Sequence, residues 1–162
     1  MPLAHGADAP LFTLPDSAGA PTRLAEFTAA GPVLLAFFKT SCPTCGLAMP
    51  VVAELERRYG DVVPVVGVTQ SKMADTRPWL RDAGFDGPVL DDEQDRYAAS
   101  RSYDIQTVPT LVLVEDGRVV GTTEGWDRER MNGWAADLGA RTGRDASPVS
   151  VDGDGRPVFK PG

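Results

Sequence analysis

Apolar residues fall along this chain in two rhythms. Val33–Phe38 is an unbroken apolar run, VLLAFF, as expected of a strand buried on both faces. Beyond Lys39, Thr40 and Ser41 the period lengthens. Leu47, Val51, Val52, Leu55 and Tyr59 recur at spacings of three or four and predict a helix over Pro43–Tyr59, ended by Gly60. Pro50 removes a backbone donor inside that helix and should kink it. Residues 62–68 are again almost wholly apolar and predict a second central strand parallel to the first. Strand, helix and strand then make a right-handed βαβ unit.

The flanking segments carry punctuation of their own. Residues 1–10 read as irregular. Residues 11–14 and 22–24 predict a short hairpin turning around 16–19, and Leu24–Thr28 a helical turn before Gly31-Pro32 breaks the chain. Residues 71–83 look helical, with Pro78 interrupting near Trp79-Leu80, and 87–90 suit a short strand. Asp91 or Asp92 would cap a helix over 93–103. Thr110–Glu115 and Arg118–Glu124 flank Asp116-Gly117, a two-residue hairpin signal. Asp127 caps a last amphipathic helix to about Arg141, with Met131, Trp134, Ala135 and Leu138 inward. The pattern as a whole is α/β, one domain over 1–143 without internal repeats. After Gly143 the composition turns to Asp, Ser, Pro and Gly. Residues 144–162 then form either a flexible tail or a small hairpin around Asp152-Gly-Asp-Gly155, and the tail is the favoured reading.

Composition narrows the partners. A net charge of −7 and an isoelectric point near 4.6 argue against nucleic acid and against an anionic membrane surface. The first residues have no basic stretch followed by an apolar one, and no apolar run reaches the length of a membrane span. As written, the chain is expected in the cytoplasm; a trimmed leader would allow an extracytoplasmic place.

The candidate chemistry lies where the central strand meets its helix. Cys42-Pro43-Thr44-Cys45 puts two sulfurs on the first helical turn. Pro43 suits the first helical position, so Cys42 becomes the N-cap with its sulfur facing the free N–H groups of Thr44 and Cys45. Those donors and the positive helix end favour thiolate over thiol, making Cys42 the nucleophile. Cys45, one turn deeper, can close a disulfide onto it. A zinc site would need two more ligands, but the chain has only these 2 cysteines and 1 histidine, the remote His5. A copper site would also want a third ligand. A structural disulfide across so short a loop would stabilise little. The reading is a redox dithiol without cofactor or metal.

These residues, with Thr107-Val108-Pro109-Thr110-Leu111 entering a hairpin, resemble the thioredoxin superfamily. The segment Gly84-Phe-Asp-Gly-Pro-Val-Leu-Asp91 is similar to the central insertion of its TlpA/ResA branch. The head, Gly6-Ala-Asp-Ala-Pro-Leu-Phe-Thr-Leu-Pro-Asp16, looks like the opening that branch shares with the AhpC/TSA-related peroxiredoxins. The resemblance covers about 6–140. It implies a thioredoxin fold: a central mixed sheet flanked by helices, with an N-terminal hairpin extension and the central insertion. It further implies a cis Pro109 beside the dithiol, and a substrate chain held at Val108, Pro109, Pro43 and Thr44.

The departures are also informative. Ser41 stands where the family usually has tryptophan, and Ala36 where thioredoxins carry a buried Asp that assists the second thiol. That leaves Cys45 without an obvious base. The activity implied is protein thiol–disulfide exchange by a monomer, with a separate redox partner. The alternative is a peroxiredoxin-type peroxidase, suggested by the head and by Cys42-Pro43-Thr44. Leu35 and Lys39 replace the proline and hydroxyl residue that the peroxiredoxin pattern needs before its cysteine.

Overall fold

In the computed structural model, which describes residues 1–162, the apolar run at Val33–Phe38 is the middle strand of the main sheet. In chain order the elements are β1 (Thr13–Pro15), β2 (Pro21–Arg23), α1 (Leu24–Thr28), β3 (Val33–Phe38), α2 (Pro43–Tyr59), β4 (Val65–Thr69) and α3 (Met73–Ala83). There follow β5 (Val89–Asp91), α4 (Ala98–Ser102), β6 (Thr110–Glu115), β7 (Arg118–Glu124), β8 (Trp126–Asp127), α5 (Arg128–Thr142) and β9 (Phe159–Lys160). The sheet order is β5-β4-β3-β6-β7. β3, β4 and β5 run parallel, and β6 and β7 return antiparallel. This is the mixed sheet flanked by helices that the resemblance implies, with β1–β2 as the N-terminal hairpin. No helix is long and apolar enough to cross a membrane.

Every residue of β3 is buried, because the strand is covered on both faces. Phe37 lies against Tyr103 at the end of α4, ring centroids 5.6 Å apart. Its neighbour Phe38 points the other way and stacks on Trp79 of α3 at 5.5 Å. α2 packs beside α5, and the Tyr59 hydroxyl donates to the Ala135 carbonyl at 3.1 Å. α2 runs unbroken through Pro50, and α3 through Pro78 where an interruption was expected.

Three expectations shift. The second central strand begins at Val65, since Pro64 has no N–H for the ladder and uses only its carbonyl, toward Leu34. The helix expected over 93–103 shrinks to α4, because Arg96 and Tyr97 are both left-handed, at φ 52° and 61°. Tyr97 therefore takes the N-cap position in place of Asp91 or Asp92, while the Asp92 carboxylate reaches the same turn from outside it, accepting from the N–H groups of Ala99 and Ser100 and from the Ser100 hydroxyl.

Residues 144–162 are the third difference. They fold back over α5 so closely that a Cβ on Gly139 would sit 2.5 Å from the Ala146 Cβ. Their polar composition is used in contacts. Asn132 accepts from the N–H groups of Val149 and Ser150. The Arg128 guanidinium reaches Asp152 at 2.6 Å and the Arg156 carbonyl at 2.7 Å. Asp154 accepts from the Ser150 hydroxyl and from the Val151 and Arg156 N–H groups; these bonds, led by Ser150, hold its carboxyl well below the usual range. The buried indole of Trp126 donates to the Pro157 carbonyl at 2.7 Å, and β9 then pairs antiparallel with β8.

Candidate active site

The dithiol sits at the end of β3, where the strand's C-terminus delivers the chain to the start of α2. Cys42 has the extended backbone of an N-cap, at φ −92° and ψ 116°, and Pro43 follows at the first helical position. Its sulfur accepts from the Cys45 N–H at 3.4 Å, so one of the two expected donors is in place. On its other side the Cys42 Sγ lies 3.4 Å from the Val108 carbonyl oxygen and donates to it. Cys42 is half-buried and Cys45 fully buried, and both are free thiols. One sulfur meets the surface and the other lies beneath it.

Pro109 follows a cis peptide bond, as the resemblance implies. Its carbonyl accepts from the Gly125 N–H at 2.8 Å, and the Thr110 hydroxyl donates to the Thr107 carbonyl at 2.8 Å. These bonds hold the loop beside Cys42. Pro43 is exposed, whereas Val108, Pro109 and Thr44 are buried. Thr44 is covered by the chain's own end, its hydroxyl donating to the Pro161 carbonyl at 2.7 Å.

A polar groove of about 240 Å3 opens onto Cys42, lined by Lys39, Gln70, Thr107, Val108 and Gly162 among others. It adjoins a larger hollow of about 670 Å3 that shares Lys39 and Gln70 and adds Ser41. Gln70 and Gly162 were not among the sequence candidates. Gln70 follows β4 at the carboxyl end of the parallel strands, where sites in such sheets gather, and that position is its one signal. Gly162 had none.

Burial pushes the Cys45 thiol well above the usual thiol range. The hydrogen bond and charge of Cys42 push the same way, and the Lys39 backbone and ammonium oppose them. No carboxylate contributes, consistent with Ala36 standing in the middle of β3. Were Cys45 to attack a disulfide formed at Cys42, a proton would first have to leave this buried sulfur. We expect the release rate, followed by rapid quench, to rise about tenfold per pH unit between roughly pH 7 and 9, the slope of one deprotonation. A flat profile there would reveal a proton acceptor within the protein. The same raised value sets a stability trend: above the usual thiol range the unfolded chain releases a proton that the folded chain keeps. Stability of the reduced protein is therefore lost as pH rises.

Comparison with known proteins fits this arrangement. Residues 5–122 match the model of the AhpC/TSA family. The chain is similar to the thiol-disulfide oxidoreductase ResA of Bacillus subtilis, 31% identical over 133 residues that cover 80% of this chain and 72% of that protein. Among solved structures it resembles a thiol:disulfide interchange protein DsbE from Chlorobium tepidum. The TM-score is 0.74 at 24% identity, covering 85% of this chain and 97% of that one. It also resembles the peroxidoxin BcpB from Mycobacterium tuberculosis, with a TM-score of 0.68 at 21% identity over 84% of this chain and 94% of that one. At these identities the two structural likenesses speak to the fold.

Proposed function

The chain belongs to the AhpC/TSA family, in the ResA-like branch of the thioredoxin superfamily, and we propose that Cys42 and Cys45 are its redox pair, acting on disulfides and thiols of proteins and peptides. The observation that carries this is the Cys42 sulfur itself. It stands at the start of a long helix, 3.4 Å from the Cys45 N–H and 3.4 Å from the carbonyl before Pro109. That sulfur is open to an incoming disulfide from the groove beside it.

In the reducing direction the Cys42 thiolate attacks one sulfur of the substrate disulfide. That S–S bond breaks, the departing sulfur takes up a proton, and a mixed disulfide remains. Cys45 then loses its proton and attacks the Cys42 sulfur. The bond to the substrate breaks, the second substrate thiol leaves, and the enzyme is left with a Cys42–Cys45 disulfide, oxidised by two electrons. A separate reductant must return them. As an oxidase the steps run backward.

A peroxidase needs groups that fix peroxide against the sulfur, and Leu35, buried within β3, and Lys39 offer no such hydroxyl. Reduced protein is therefore expected to reduce insulin or a small model disulfide much faster than it consumes hydrogen peroxide, with one preparation run in both assays. Rapid stoichiometric peroxide consumption with little disulfide reduction would make the protein a peroxidase.

A further inference from the structure

The last residues of the chain lie against the loop that would hold a substrate chain. Gly125 leads from β7 to β8, and its N–H is bonded to the Pro109 carbonyl. β9 runs antiparallel alongside β8, and the chain end continues over Gly125 toward the dithiol. A Cβ on Gly125 would fall 3.0 Å from both the Gly162 nitrogen and the Lys160 carbonyl oxygen. Only glycine permits backbones to cross so closely. Pro161 takes the Thr44 hydroxyl, between the two cysteines in sequence. Gly162 then rests on the Pro109 loop: a Cβ there would run into the Thr107 Oγ1 and the Val108 carbonyl oxygen.

The segment is anchored at one end and lightly held at the other. Upstream, Arg128 ties down Asp152 and the Arg156 carbonyl, and its own N–H donates to the Val158 carbonyl at 2.9 Å. Downstream, Val158 is 64% and Phe159 60% exposed, so little apolar burial holds the strand in place. Few buried contacts and solvent-facing hydrogen bonds are the marks of a segment that opens locally at low cost. What it leaves open at Cys42 is the polar groove of about 240 Å3, with Gly162 among its walls. That is smaller than the several hundred Å3 of a typical drug-sized site. At Cys42 itself there is room for one amino-acid side chain or a small thiol; the larger hollow lies on the other side, toward Ser41 and Ser71, and the Thr107-Val108 edge that a peptide strand would need lies under Gly162.

We propose that residues 159–162 are a specificity determinant for disulfide exchange. In place, they reserve Cys42 for disulfides of amino-acid size. Displaced, they free the edge at Thr107-Val108 for a peptide strand. The inference rests on the proposed role of Cys42 as nucleophile.

It is tested by single-turnover exchange in a Cys45→Ser background, with residues 1–162 all present. Two reagents carry the same leaving group: cysteine, and a ten-residue peptide with one cysteine, each joined by a disulfide to thionitrobenzoate. The Cys42 thiolate attacks the cysteine sulfur, the old S–S bond breaks, and the coloured thionitrobenzoate thiolate leaves. Rates are normalised to each reagent's reaction with a free thiol. One variant combines Val158→Gly, Phe159→Ser, Lys160→Gly and Pro161→Ser. A second, Arg128→Ala, loosens the anchor without touching the groove. Both are expected to raise the peptide rate about tenfold and change the cysteine rate by less than about twofold, a pure shift in selectivity. An unchanged ratio in both variants overturns the proposal. If neither reagent reacts at Cys42, the nucleophile assignment fails and the inference falls with it, a pattern distinct from two reactive reagents with a constant ratio.

Discussion

Cys42→Ser is expected to abolish disulfide reduction, with activity falling about a thousandfold or more, while Cys45→Ser stops turnover yet accumulates a covalent adduct. A serine hydroxyl stays protonated near neutral pH, so it offers no comparable nucleophile in place of the proposed Cys42 sulfur. In Cys45→Ser the attacking sulfur keeps its place, its Cys45 backbone donor and its groove, because the N–H at 3.4 Å belongs to the main chain and survives the substitution. Attack proceeds, but nothing resolves the mixed disulfide. Non-reducing gels with a disulfide substrate should show the adduct in Cys45→Ser and none in Cys42→Ser. Equal capture by Cys42→Ser would reverse the order of attack, hard to reconcile with a fully buried Cys45.

Phe37→Ala should remove about 3–5 kcal/mol of stability, within reach of the whole reserve of a marginal domain at about 5–15 kcal/mol. The cost of such a truncation depends on whether the surroundings can close the hole. Here they cannot do so easily. Tyr103, the ring facing Phe37, is pinned at its far end, where its hydroxyl donates to the Pro10 carbonyl at 2.9 Å. Phe12 meets the same ring edge-on at 6.1 Å. Leu11→Ala is the control: Leu11 is 75% exposed, and its loss should change stability by no more than about 0.5 kcal/mol. Denaturant unfolding of both variants measures the difference. Comparable losses would mean that β3 is not packed on both faces.

Much of this was legible in the sequence because the information is local. VLLAFF is apolar throughout, short, and preceded by Gly31-Pro32, which favours a strand buried on both faces, and Cys42-Pro43 marks a helix start by capping rules alone. Asp116-Gly117 specified its hairpin, both residues adopting positive φ, at 51° and 72°. Asp127 capped α5 as expected, accepting from the Arg130 N–H at 3.2 Å. What escaped depends on partners distant in sequence. Nothing near Asp152 or Asp154 says that Arg128 will collect them, and a Pro/Gly-rich ending reads as loose until Trp126 and Gly125 are seen beneath it. Thr44 was read as facing substrate because that is its place in the motif; its burial comes from Pro161, far along the chain. The shortened α4 is a local miss, since two consecutive left-handed non-glycine residues, Arg96 and Tyr97, carry no sequence signal.

The head of the chain does a further job that its irregular backbone conceals. Gly6 and Ala7 exchange hydrogen bonds with Val119, and the Ala9 N–H reaches the Gly117 carbonyl, so residues 6–9 run along the outer rim of β7. At the opposite rim, Asp16, just past β1, bridges to Leu90 of β5. The two outermost strands are thus each met by the same first sixteen or so residues, folded around the sheet from one border to the other. Open strand borders are where one molecule zips onto the next and where aggregation begins. In this protein an irregular head covers the start of one such border, and a single bridge from the hairpin that follows meets the other.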